Sequence, residues 1–130
     1  DPFNASRVIV GTDGDGMFRT TDGGTSWAPA NTGLLSFPPY HVTYAVRFDP
    51  FVADLVYTSP EFALLAVSRD GGSNWETWFT NSPELLTVDP FRAGVLYTGP
   101  APQISRNRGH HFVFPEPNFV GRNLSNTIAQ

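Results

Sequence analysis

Apolar and polar side chains alternate every second residue in several short stretches of the chain. In YAVRFDP, Tyr44, Val46 and Phe48 alternate with Ala45 and Arg47 ahead of an Asp-Pro pair, the pattern of a short strand with one face toward a core. ELLTVDP repeats this ending at Val88-Asp89-Pro90. A second set of runs is apolar on both faces: RVIVGT, LVYTS and VLYTG, each followed by GMFRTT, FALLAVS or PQIS. Such runs predict strands covered from both sides. A last strand in each set begins at an aromatic residue, as WAPA, WETWF or FVF.

The same strands recur because the sequence repeats. TTDGGTSW, Thr20 to Trp27, returns as SRDGGSNW, Ser68 to Trp75, and again as SRNRGHHF, Ser105 to Phe112, with Asn107 in place of Asp. Asp1-Pro2-Phe3, Asp49-Pro50-Phe51 and Asp89-Pro90-Phe91 stand upstream of the three copies. Asp1 to Thr20 and Asp49 to Ser68 have the same separation, and Asp89 to Ser105 is three residues shorter. A period of roughly 40 to 48 residues belongs to solenoids and propellers. If the strand before each Asp-Pro is A and those after it B, C and D, the chain reads as three units, 1–48, 49–88 and 89–130, each in the order B-C-D-A.

This predicts an all-β chain of three four-stranded antiparallel β-propeller blades. Rings usually hold about 4 to 8 blades, so three must be completed by head-to-tail association or by neighbouring blades of a longer chain. Two copies would give six. The final NTIAQ lines up with YAVRF and ELLTV when set before DPF: Ile128 takes the place of Val46 and Leu86, while Gln130 falls where Phe48 and Val88 stand.

Composition agrees with short strands and many turns: 12 Gly, 12 Pro, 11 Phe, 4 Tyr and 3 Trp in 130 residues. A net charge of −4, with only 8 Lys plus Arg and no basic cluster, gives no reason to expect nucleic acid or an anionic membrane as partner. No apolar run approaches the roughly 20 residues that span a bilayer, so a soluble chain is expected. The absence of cysteine excludes disulfides, thiolate metal sites and Cys nucleophiles. Opening at DPFNAS without Met or a signal-like segment, the sequence reads as a processed product or a segment of something longer. Asn4-Ala5-Ser6 and Asn123-Leu124-Ser125 are sequons, meaningful only in a secreted eukaryotic protein.

The repeated motif must turn from strand C to strand D in few residues. Gly23, Gly24, Gly71 and Gly72 supply positive φ, Asp22 and Asp70 accept hydrogen bonds from the turn's own N–H groups, and Thr20 or Ser68 adds a hydroxyl. Trp27 and Trp75 are expected to cap the hairpin. The pattern Ser/Thr-x-Asp-x-Gly-x-x-Trp resembles the Asp-box, or BNR, repeat of sialidases, xyloglucan-active glycoside hydrolases, sortilin-type receptor domains and a photosystem II assembly factor. That resemblance implies structural roles for Thr20, Asp22, Gly24 and Trp27, for Ser68, Asp70, Gly72 and Trp75, and for Ser105, Asn107, Gly109 and Phe112. It also implies an extracellular or periplasmic location. Because these families share the repeat and differ in activity, it leaves function open.

In an A-B-C-D meander the A–B and C–D turns share one face, which places the B–C and D–A loops on the other, where function is expected. On that face Thr12-Asp13-Gly14-Asp15-Gly16 is the most acidic loop. Glu61 holds the equivalent loop of the second unit, and Pro100-Ala101-Pro102 carries no charge in the third. Glycoside hydrolysis needs two carboxyls about 5 to 9.5 Å apart, so Asp13, Asp15 and Glu61 are the catalytic candidates; TDGDGMFR is also similar to the loop bearing a catalytic Asp in the xyloglucan-active enzymes. A solvated Asp-Gly turn, or a Ca²⁺ loop short of ligands, is the competing explanation. The D–A loop NTGLLSFPPYH offers Phe37 and Tyr40, and strand D offers Trp78, as aromatic platforms for sugar or peptide, against a role in packing between blades. For a sialidase, RVIV at Arg7 lacks the proline of the family's Arg-Ile-Pro, and Arg19, Arg69 and Arg106 sit beside the motif, on the wrong face. Adjacent His110 and His111 do not make a metal pair. With no phosphate loop, dinucleotide fingerprint or nucleophile elbow, no cofactor is expected. Three functions follow: a binding or scaffold module for carbohydrate or protein, part of a glycoside hydrolase, or a propeller fragment without an activity of its own.

Overall fold

β-Branched and aromatic residues run for only a few positions before Gly, Pro or Asp interrupts them, so the strands are short and close on one another through tight turns. A computed structural model describes residues 1–34, 43–60, 64–79, 85–99 and 102–114. The expected terminal strand at 126–130, and Phe37, Tyr40 and Glu61, lie outside these residues. Among the described residues there is no helix.

Three antiparallel sheets form in chain order. The first is β1 (Val8–Gly11), β2 (Met17–Thr20) and β3 (Ala28–Pro29). The second has four strands in sequence: β4 (Thr43–Phe48), β5 (Val56–Pro60), β6 (Leu64–Ser68) and β7 (Glu76–Phe79). β8 (Leu85–Val88), β9 (Leu96–Gly99) and β10 (Gln103–Ser105) make the third. Its fourth position is marked only by a bridge from Ile104 to Val113. The sheets are offset by one strand from the sequence units. Strand β4, before Asp49, pairs with β5 after it, and β8 pairs with β9 in the same way around Asp89. The Asp49-Pro50 and Asp89-Pro90 pairs thus lie inside a sheet, at its first hairpin bend.

Two apolar layers join the sheets. Ile9, Met17 and Ala30 of the first meet Val56, Ala66 and Trp75 of the second. On the other side of the second sheet, Ala45, Tyr57, Leu65 and Val67 meet Leu86, Val88 and Leu96 of the third. Successive residues of β5 therefore point into different layers, Val56 into one and Tyr57 into the other, and both are fully buried. This is why the run reads as apolar on both faces.

Polar ties lock the first layer. Trp75 Nε1 donates to the Ala30 carbonyl at 2.9 Å, Trp75 N to Thr32 O at 2.9 Å and Thr77 Oγ1 to Gly33 O at 3.0 Å. Arg19 Nη1 donates to Ser73 Oγ at 2.8 Å. Buried Arg7 pairs with Asp1 in its own sheet and with Asp54 in the next, at 2.6 Å. At the positions equivalent to Arg7, the later units carry Leu55 and Val95 and need no ion.

The closest approach of the two sheets is backbone to backbone. A Cβ on Gly33, which has φ +87°, would collide with the Trp75 carbonyl, whereas one on Gly14 would meet no atom within 4 Å. Gly33→Ala is therefore expected to destabilise the fold by at least about 2 kcal/mol more than Gly14→Ala, since only the former adds overpacking to backbone strain. Urea unfolding of the two variants measures this difference.

Candidate functional site

The repeated turn uses a small set of short bonds. Thr20 Oγ1 donates to Asp22 Oδ1 at 2.7 Å and accepts from Gly24 N at 3.0 Å. Asp22 also accepts from Ser26 N at 2.9 Å and Ser26 Oγ at 2.6 Å. In the second copy Ser68 Oγ donates to Asp70 Oδ1 at 2.8 Å and accepts from Gly72 N at 2.8 Å. Asp70 then accepts from Ser73 N, Asn74 N and Asn74 Nδ2 at 3.0, 2.9 and 2.7 Å. The third copy keeps the plan with an amide: Ser105 Oγ donates to Asn107 Oδ1 at 3.0 Å, and His111 N donates to the same oxygen at 2.9 Å. A single Oδ1 acceptor is shared by all three turns, so Asn107 can stand in for Asp. The second carboxylate oxygen serves only the side chain four residues on.

These bonds act on ionisation. The Ser26 hydroxyl and N–H and the Thr20 hydroxyl hold Asp22 well below the usual carboxylate range. At Asp70 partial desolvation pushes upward, but the Asn74 side chain and N–H, Ser68 and Ser73 outweigh it and leave the group at about 2. Both stay ionised at neutral pH, with their oxygens occupied by their own turns.

The Asp of each Asp-Pro-Phe does similar work one turn away, and sequence reading missed it. Asp49 Oδ1 accepts from Phe51 N at 2.8 Å and Val52 N at 3.1 Å; Asp89 Oδ1 accepts from Phe91 N at 2.9 Å and Arg92 N at 3.1 Å. Tyr57 and Tyr97 donate their hydroxyls to the remaining oxygens at 3.3 and 2.9 Å. In the first unit the position of Tyr57 is Ile9, and Arg7 Nε takes over, donating to Asp1 Oδ2 at 2.5 Å. An Asp followed by i+2 and i+3 N–H groups, with Tyr eight residues on in LVYTS and VLYTG, was the available signal.

The two kinds of turn touch. Gly23 N donates to Ser6 O, Gly71 N to Asp54 O and Arg108 N to Gly94 O, each at 2.9 Å. One face of the molecule is therefore made of paired, internally bonded turns, and the first B–C loop and the start of the first D–A loop lie at the opposite ends of the strands.

On that opposite face the first B–C loop folds on itself. Thr12 N and Oγ1 both donate to Gly16 O, at 2.9 and 2.8 Å, and Asp15 N donates to Thr12 Oγ1 at 3.0 Å. Asn31, from the start of the D–A loop, accepts from Met17 N at 2.7 Å, and a Cβ on Gly16 would come within 2.5 Å of its Oδ1. The loop is thus clamped beside the D–A connection, and Asp13 and Asp15 project exposed side chains from it. Glu61, Phe37 and Tyr40 fall outside the described residues; Asp13 and Asp15 share the one loop. Trp78 is half-buried, packs on the second apolar layer and lies 4.7 Å from the His110 ring of the next sheet, with Arg69 5.9 Å from its own ring. Trp75 does more than cap its hairpin: it reaches back into the preceding sheet. Trp27 is 44 % exposed. Among the described residues no group of three or more His, Asp or Glu is placed to hold a metal.

No family model and no curated protein matches the chain. Solved structures of β-propeller proteins do. The GH74 xyloglucanase from Xanthomonas campestris is 22 % identical over 92 % of this chain and 21 % of its own, with a TM-score of 0.70. An ancestral GH74 enzyme is 23 % identical over 84 % and 17 %, and YCF48 bound to D1 peptide is 16 % identical over 83 % and 36 %, both with a TM-score of 0.64. This chain spans about a fifth of the GH74 chains and about a third of YCF48. The chain has the fold of part of a β-propeller.

The turn bonds set a pH dependence. Because Asp70 has a lowered folded value, its contribution is complete above the ordinary 3.8 and is lost as pH falls toward about 2. Asp70→Ala is expected to cost about 1 kcal/mol at neutral pH, allowing for solvent screening of an exposed group. Asp70→Asn, which mimics the third copy, is expected to cost about half of that. Urea unfolding at pH 6 and pH 2.5 checks the sign: the gap between wild type and Asp70→Asn narrows at the lower pH.

Proposed function

We propose that this chain is an Asp-box propeller module whose role is to bind or scaffold a partner on its B–C and D–A loop face. The observation that carries this reading is the division of labour between the two faces. The motif acids Asp22 and Asp70 and the Asp-Pro-Phe acids Asp1, Asp49 and Asp89 are each occupied by donors of their own unit, and Asp54 is paired with Arg7 of the unit before it. Exposed acidic groups not used in that way, Asp13 and Asp15, stand on the loop face.

Two ligand classes follow. One similar structure is a protein bound to a peptide and two are GH74 enzymes, one of them a xyloglucanase; peptide and carbohydrate are accordingly the ligands to try. A contribution to a glycoside hydrolase is the second reading, favoured by the exposure of Asp13 and Asp15. It requires a further carboxylate from a neighbouring loop, because hydrolysis uses an acid and a base or nucleophile on opposite sides of the scissile bond.

The test compares wild type with Asp13→Asn/Asp15→Asn on a glycan array, a peptide library and a panel of chromogenic glycosides. Binding without turnover is expected, weakened at least about threefold in the double variant by loss of two charge-assisted hydrogen bonds. Glycoside hydrolysis by wild type that vanishes in the double variant would replace the binding reading with the enzymatic one.

A further inference from the structure

The first sheet presents an outer face that the other two sheets keep covered. Register places Val10, Phe18 and Pro29 on one side of it, with Val8 and Thr20. Ile9 and Met17, which contact the second sheet, point the other way. The gapless alignment from Asp1 makes Val8, Phe18 and Trp27 the counterparts of Val56, Ala66 and Trp75. In the second sheet these positions are 0 %, 0 % and 5 % exposed, sealed by the first sheet; in the first sheet Val8 is 40 % and Trp27 44 % exposed.

The glycines of the turn tell the same story independently. Added Cβ atoms at Gly71 and Gly72 would strike Arg7 and Ile9 of the preceding sheet, and one at Gly109 would come within 2.8 Å of Leu65. At Gly23 nothing lies within 4 Å, and Gly24 faces only its own Trp27. The first turn therefore has the shape that elsewhere admits a preceding sheet, with no described residue of another sheet against it. Among the described residues no strand pairs with β1 on the edge where its counterpart β5 pairs with β4.

What fits such a face is shown twice within the molecule: the forward face of another sheet. The third sheet offers one. Thr87, Tyr97 and Ile104 lie side by side by register, pointing away from the second sheet, with Leu85 68 % exposed beside them. These correspond to the residues with which the second sheet receives the third, Tyr57, Val67 and Ala45 among them. Where the first junction has Arg7 against Asp54, this one would set Val95 against Ser6, so no charge is buried.

We infer that the outer face of the first sheet, centred on Val10 and Trp27, docks the third sheet of a second copy of this chain, and that two such junctions close a six-bladed ring. This rests on the propeller reading above, and it specifies the partner and the residues. A heterologous contact of this kind, head to tail, closes when its rotation completes a circle.

Sedimentation velocity on the whole chain tests it without any variant: twice 14.3 kDa is expected. Val10→Asp and Leu85→Asp, each placing an unpaired carboxylate in both junctions, are expected to weaken association at least about 100-fold and to retain the far-UV spectrum. Mixed together they regain part of the association, because the head of the Leu85→Asp chain and the tail of the Val10→Asp chain make one intact junction while the other carries both carboxylates. A wild type of 14.3 kDa at all concentrations overturns the inference, as does a Leu85→Asp chain that associates as tightly as wild type, which would mean contact head to head. The ligand assays above remain readable in either case, so failure of the ring and failure of loop-face binding are separate results.

Discussion

A sheet that is apolar on both faces cannot stand in water by itself, and that constraint organises this molecule. β5 and β6 place Val56 and Ala66 in one layer and Tyr57, Leu65 and Val67 in the other. At about 25 cal/mol per Å² of apolar surface removed from water, two covered faces give a four-stranded sheet the burial that a single covered face would halve. Stacking follows from composition, because there is no polar face to turn outward. The same constraint explains why polar groups at the seam are so fully used. Buried Arg7 is held by carboxylates from both sheets, and Trp75 Nε1 finds the Ala30 carbonyl. Each would be costly to bury alone.

The turns supply what burial cannot, namely direction. Hydrophobic layers are permissive about small shifts, whereas a hydroxyl and a carboxylate each bonding specified N–H groups fix the hairpin bend. The bond from the motif turn to the Asp-Pro-Phe turn, made in every unit, then ties the C–D bend to the A–B bend. Non-glycine residues at positive φ mark where this geometry overrides local preference. Asp54 takes φ 64° where the third unit has Gly94, and Arg108 takes φ 57° where the other copies have Gly23 and Gly71. Asp visits this region at modest cost; Arg does so against a penalty of about 1 to 2 kcal/mol, which the surrounding bonds must outweigh.

Much of this was legible in the chain because repetition multiplies weak signals. Alternation in YAVRFDP, two-sided apolar runs after each Asp-Pro and the Gly-rich turn each locate a strand or bend, and their equal spacing in the first two units sets them in register. What stayed hidden depends on contacts between units. Trp27 and Trp75 are identical in motif terms, yet one is exposed and the other sealed, because among the described residues only the second has a sheet behind it. The Asp of Asp-Pro-Phe looked like a marker; its role as a cap depends on Tyr57, Tyr97 or Arg7 coming from another strand or another spacing. On the loop face, Asn31 clamping Met17 N was illegible for the same reason, since nothing local links residues fourteen apart.

The third copy shows how far the motif can drift before the turn is lost. Asn107 retains the Oδ1 acceptor that takes the Ser105 hydroxyl and the His111 N–H, and Ser105 still receives Gly109 N at 2.9 Å. What it gives up is the second oxygen and the negative charge. The residue four on from the motif acid changes in step, from Ser26 and Asn74, which donate to that oxygen, to His111. A turn that kept its carboxylate for chemistry would need the charge, and this one does without it. The requirement that persists across all three copies is for one acceptor at one place, which is a demand of backbone geometry. The motif acids are thereby committed to the turns, while the B–C and D–A segments differ in length and charge from one unit's sequence to the next.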